Sequence, residues 1–118
     1  MFQYLRSIAL IAAIILDCGA AFAEVDRSSA NHIMRGCRDF ISSSLSNSQR
    51  GPLEQGYCAG VVDGLDFTGL GVCAPPSVTV SQAVRVVVKY IDDRPARLNE
   101  NFKALAYEAL QAAWPCKN

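Results

Sequence analysis

Cys37, Cys58, Cys73 and Cys116 constrain this chain more than anything else in it. They follow a segment laid out like a secretory leader, and an even number of cysteines in a short exported chain is the setting in which they pair as disulfides. Each bridge closing a loop of this size stabilises a fold by about 3 kcal/mol on the chain-entropy account, comparable with the whole margin of a small domain. Zinc is the rival use of such residues. The intervals of 21, 15 and 43 residues contain no Cys-x-x-Cys pair, and the single histidine, His32, stands apart from any such knuckle, so the spacing does not make a zinc site.

The leader is read from three features in order. Arg6 supplies a positive start, Ser7 to Leu16 is an apolar run of ten, and Ala21-Phe22-Ala23 places small residues where a signal peptidase reads them. A membrane anchor needs about twenty apolar residues, and Asp17 stops this run at half that length. Acylation at Cys18 is disfavoured because Asp17 precedes it. The expectation is a signal peptide over residues 1–23, a single helical domain over 24–118, a periplasmic location and no membrane association of the mature form. Removing 23 of 118 residues leaves 95, carrying ten basic and ten acidic side chains. A neutral chain lacks the electrostatic footprint of phosphate binding, so nucleic acid is not an expected partner.

Periodicity predicts four helices. Ala30, Ile33, Met34, Cys37, Phe40, Ile41 and Leu45 recur at helical spacing behind Ser28-Ser29, which can cap the first helix. The Ser-rich stretch from Ser42 to Gly51 breaks it, and Pro52 suits the first turn of a second helix running to about Thr68. On that helix Leu53, Tyr57, Val61 and Leu65 make one face. Gly56, Gly60 and Gly64 recur on another, each costing about 1 kcal/mol of helix propensity relative to alanine, and close helix packing is the compensation expected of them. Gly69 to Pro76 is turn chemistry around Cys73. Thr79-Val80-Ser81-Gln82 fits a capping box for a third helix ending near Asp93. Its run of valines also suits a strand, but Val80, Val84, Val87, Val88 and Ile91 keep helical spacing and no second strand exists to pair with. A fourth helix begins near Pro95, carries Leu98, Phe102, Leu105, Ala109 and Ala112 on one face, and ends at Trp114-Pro115. The fold class is all-α, a small four-helix bundle stapled by two disulfides. Four cysteines allow three connectivities; an up-and-down bundle brings Cys73 and Cys116 to one end, which favours Cys73 with Cys116 and Cys37 with Cys58.

The residues offer little catalytic chemistry. No Gly-x-Ser-x-Gly or His-Glu-x-x-His arrangement occurs, and His32 has no cysteine nucleophile outside the expected disulfides. Asp63 and Asp66 are the best carboxylate pair, though their i, i+3 spacing on a helix usually makes a solvated face. Neither a cofactor nor a metal site is expected. A disulfide-held bundle of this kind works by presenting a surface, and the exposed connections Ser42 to Gly51 and Gly69 to Val72 are the elements that could reach a partner, through Asn47, Gln49, Arg50, Leu70 and Val72.

Several elements of the second half recur together. They are Tyr57-Cys58-Ala59-Gly60-Val61-Val62-Asp63-Gly64, then Cys73-Ala74-Pro75-Pro76, Val78-Thr79, the run Gln82 to Ile91, Pro95, Ala109-Leu110 and Trp114-Pro115-Cys116. In this order they resemble the Rap/Tai family of immunity proteins associated with type VI secretion. The resemblance implies a periplasmic helical inhibitor, not an enzyme, whose partner is a cell-wall amidase effector and which often acts as a homodimer. The competing class is a periplasmic acid-stress chaperone of the HdeA kind, also helical and disulfide-bonded. That role wants a pH sensor, and with one histidine and balanced charges the chain shows no evident sensor near pH 6.

Overall fold

The computed structural model describes residues 25–42, 51–66 and 71–117. The leader, residues 1–23, and the Ser-rich connection 43–50 fall outside them. Among the described residues the chain forms four α-helices: α1 Ala30–Ser42, α2 Gly51–Asp66, α3 Val80–Asp92 and α4 Phe102–Ala113, with a 3₁₀ turn at Pro95–Arg97 before α4. The valine-rich segment is helical, as its spacing requires. Val84, Val87, Val88 and Ile91 are buried together with Ala83, and the Thr79 hydroxyl caps α3 by accepting from the Gln82 amide at 3.1 Å.

Both disulfides join the expected partners. Cys37–Cys58 ties α1 to α2 with 5.3 Å between Cα atoms, and Cys73–Cys116 ties the turn before α3 to the end of the chain at 4.9 Å. Cys37 and Cys58 are fully buried, whereas Cys73 is exposed. Next to the buried bridge lies Gly36. A Cβ on Gly36 would overlap the backbone carbonyl of Glu54, so α1 and α2 cross in near backbone contact beside the disulfide. Arg35 closes the same crossing from outside with a fork onto Glu54 at 2.6 and 3.1 Å. The core is completed by Met34, Val62, Phe102, Leu105 and Leu110, each less than 2 % exposed.

The structure adds to or corrects the sequence reading at three places. The glycines of α2 do not pack against another helix: Gly56, Gly60 and Gly64 are exposed, and a Cβ on any of them would meet nothing within 4 Å. Gly36 does the close packing instead. The Leu53–Tyr57 end of the apolar stripe is not core either, being 75 % and 46 % exposed, while Cys58 and Val62 face inward. The reason is geometric. At about 100° per residue, Leu53 lies about 140° and Tyr57 about 100° round the axis from Cys58, so a bridge that turns Cys58 inward turns them out.

The third correction is the start of the last helix. Asn101 caps α4, its side-chain oxygen accepting from the Lys103 and Ala104 amides, so Leu98 sits in the preceding turn. That turn has a task of its own. The carbonyls of Glu100 and Leu98 accept from the amides of Ala30 and Asn31 at 2.9 and 2.8 Å, satisfying α1's first donors from outside the helix. The Ser28 and Ser29 hydroxyls therefore bond back to Asp26 and leave the helix amides alone.

Arg97 holds this junction together. Its guanidinium donates to Glu100 at 2.7 and 2.8 Å and to Glu108 on α4 at 2.8 and 3.1 Å, and the Tyr90 hydroxyl donates to Glu108 from α3 at 3.2 Å. The Arg97 hydrogen bonds hold both carboxyls below the ordinary glutamate range. Gly71, at φ +96°, makes the turn into Val72 and Cys73 in a region that side-chain-bearing residues rarely occupy.

Gly36→Ala is expected to cost about 1–3 kcal/mol, because the added methyl must push the α1–α2 crossing apart against the disulfide beside it; a urea titration that leaves the midpoint unchanged would contradict the crossing described. Because the Glu100 and Glu108 pKa values are lowered by folding, their contribution is present above the ordinary glutamate range and lost as the pH falls through it. The stability gap between the parent and Arg97→Gln should accordingly be largest at neutral pH and shrink as the pH is taken below the ordinary glutamate range, which parallel urea titrations would read. Limited reduction followed by alkylation should label Cys73 and Cys116 before Cys37 and Cys58, in line with their exposure.

Candidate interaction surfaces

The orientation of α2 leaves a distinct outer face. Val25, Leu53 and Tyr57 are the large exposed hydrophobic side chains among the described residues, at 67 %, 75 % and 46 %. Single exposed apolar residues are ordinary, but these three border two adjoining hollows that share Leu53. Leu53 and Tyr57 line a recess of about 310 Å³ with Arg27, His32, Ile33 and Glu54, and Val25 borders the adjoining hollow with Arg27, His32, Leu53 and Glu54. Beyond the recess α2 continues as the exposed Gly56, Gly60 and Gly64, which carry no side chain to hold a partner away. Burying a leucine or tyrosine here against another surface is favourable by about 1.5–3 kcal/mol each, and the fold itself does not collect it.

The charged groups at the rim are unevenly engaged. Glu54 is held by Arg35, while His32 is exposed at the start of α1. Asp63, one half of the carboxylate pair read from the sequence, is half-buried on α2; the side chain of Asp66 lies outside the described residues. Among the described residues no group of three or more His, Cys, Asp or Glu side chains converges as metal ligands would. No helix among them is long and apolar enough to cross a membrane.

The residues expected to reach a partner fare differently. Asn47, Gln49 and Arg50 belong to the connection 43–50 and Leu70 to 67–70, all outside the described residues. Val72 is corrected. It is 5 % exposed, belongs to the core and forms an antiparallel bridge with Pro115, while the Cys73 amide donates to the Trp114 carbonyl at 2.8 Å. The backbone pairing that brings Cys73 to Cys116 draws Val72 inward with it. Leu53 and Tyr57 are surface residues that periodicity placed on one face with Val61 and Leu65 without saying which way that face turns. The signal that places them is the inward direction of Cys58, not their own spacing.

A search of curated proteins and a search of solved structures each return no match. A profile of the Rap1a immunity proteins matches residues 19–116, which covers all four helices and the four cysteines of the two bridges. With most of its length matched in this way, the chain belongs to the Rap1a immunity protein family.

Proposed function

We propose that this protein is a periplasmic immunity protein that binds a peptidoglycan amidase effector and blocks it, with the outer face of α2 as part of the contact. Family membership supports the coarse statement, a non-enzymatic inhibitor that binds a cognate effector protein. Two readings support the location: the leader over residues 1–23, and two disulfides, which persist in oxidising compartments. The observation that carries the contact surface is the exposure of Leu53 and Tyr57 on one recess, with Val25 on the hollow that adjoins it through Leu53. Buried aromatic and aliphatic anchors supply most of the affinity of protein interfaces, and a helix on a disulfide-locked scaffold presents them with little ordering cost. Asn47, Gln49 and Arg50, which precede α2 in sequence, remain candidate contacts on the sequence reading alone. Inhibition follows from occupancy: a bundle seated over the amidase's cleft excludes the peptidoglycan strand without chemistry of its own. The homodimer implied by the resemblance is a second element of this reading, and its site is left open to measurement.

The test uses the oxidised protein, Glu24 to Asn118, and the amidase it retains from an envelope and secreted-protein extract at neutral pH. Stoichiometric retention of one amidase, with loss of its peptidoglycan-hydrolysing activity at a one-to-one ratio, is expected. Leu53→Asp and Tyr57→Asp should each weaken binding about tenfold or more while leaving thermal unfolding unchanged, because neither side chain is part of the core. Sedimentation of the free protein gives the oligomeric state in the same preparation. Retention of many unrelated clients only after acidification, with no amidase held, would replace this reading with the chaperone one.

A further inference from the structure

On a different side of the bundle, α3 and α4 enclose a groove of about 540 Å³ whose chemistry differs from that of the α2 face. Its floor is small and apolar: Val86 from α3, and Ala109, Ala112 and Ala113 from α4. Its wall is cationic. Arg85 and Lys89 stand one helical turn apart on α3, about 6 Å along the axis, and Arg94 follows just past the helix end. Lys89 is neutralised by Asp93 at 2.9 Å. Among the described residues, neither Arg85 nor Arg94 is ion-paired: Arg85 donates to the Ile41 carbonyl at 3.0 Å, and Arg94 to the Tyr90 carbonyl at 2.8 Å. The Arg94 Cζ also sits over the Tyr90 ring, 3.6 Å from its centre, which holds the guanidinium in place while leaving most of its donors unused. Glu108, beside Tyr90, is already taken by Arg97.

From this charge pattern we infer that the groove docks an acidic amphipathic segment of a partner protein, with carboxylates on Arg85 and Arg94 and small apolar side chains on the alanine floor. Four considerations favour that occupant. A guanidinium held in place by a ring contact and one hydrogen bond can pair with a carboxylate through two parallel bonds, so the recognition is directional as well as electrostatic. Alanines at the floor let a second backbone approach closely, which a segment with small side chains can use. A second copy docking here by two-fold symmetry would set the same cations against each other. A phosphate polymer or anionic headgroup would satisfy the cations but make no use of the apolar floor. The inference rests on the proposed reading to the extent that the partner is taken to be the effector; the recognition chemistry is argued from the groove alone.

The probe is a fluorescent helical peptide of Ala and Leu with Glu at every fourth position, compared with the same peptide carrying Gln in place of Glu, and binding is read by polarisation on the oxidised protein. The Glu peptide should bind at least about tenfold tighter than the Gln peptide and lose affinity as salt is raised. The double variant Arg85→Gln/Arg94→Gln should abolish that difference. Because Arg94 also braces Tyr90, a second variant, Ala112→Glu, places a carboxylate on the exposed floor without touching either arginine and should weaken the Glu peptide selectively. Equal binding of the two peptides, or an unchanged preference in both variants, overturns the inference. So does capture of phosphatidylglycerol vesicles in preference to the Glu peptide. Retention of the amidase is measured separately, so that failure of the groove leaves the proposed function standing, and failure to find an amidase leaves the groove's chemistry testable.

Discussion

The Cys37–Cys58 bridge, seated against Gly36, decides how the rest of the molecule is arranged. The freedom of α2 to rotate about its own axis decides which of its residues face inward: Cys58 and Val62 are fully buried, Val61 and Leu65 pack against the core, and three glycines are exposed. A covalent bond to a buried position on α1 removes that freedom. The absence of a side chain at Gly36 then lets the two helices close until the Glu54 carbonyl lies where a Cβ would be. Everything outward on α2, including Leu53 and Tyr57, is exposed as a consequence of what is turned inward. The second bridge acts at the opposite end of the sequence, where Val72 pairs with Pro115 and Cys73 with Cys116 to hold the close of α4 against the turn before α3.

Much of the fold was legible because its signals are local. The helical spacing of Val84, Val87, Val88 and Ile91 outweighed their β-branched character, and the Thr79 cap was readable from Thr and Gln three residues apart. The disulfide partners followed from bundle topology. What spacing alone could not show was which of two apolar-looking faces of α2 is buried. Leu53, Tyr57, Val61 and Leu65 make a convincing stripe, but Cys58 is the stronger constraint, since a paired cysteine must face its partner. Measured from Cys58, Gly56 and Gly60 lie about 160° away, on the far side of the helix. The start of α4 was misjudged for a different reason: the carbonyls of Leu98 and Glu100 are committed to the amides at the head of α1, a long-range bond with no trace in local sequence.

The two candidate surfaces differ in kind, and the difference is chemical. The α2 face is apolar and flat, with its nearest ion pair, Arg35–Glu54, closed within the chain. The α3–α4 groove carries two guanidinium groups, Arg85 and Arg94, that have no salt bridge among the described residues, although the Arg94 charge acts on Glu108 from a distance. An overall neutral protein can in this way present one surface suited to hydrophobic anchoring and another suited to electrostatic selection, the first supplying affinity and the second discrimination among partners. The Arg97 junction lies beside the groove through Tyr90 and Glu108, so the wall of the groove and the α3–α4 packing share one network of hydrogen bonds.

The most direct measurement of the account is hydroxyl-radical footprinting of the oxidised protein, free and in complex with its cognate effector. In the free protein Leu53 and Tyr57 should be strongly modified while Val62 and Met34 stay protected, and on binding the modification of Leu53 and Tyr57 should fall. Unreactive Leu53 and Tyr57 in the free protein would mean that α2 is not turned as the Cys37–Cys58 bridge requires. Equal reactivity in the complex would mean that the effector binds elsewhere.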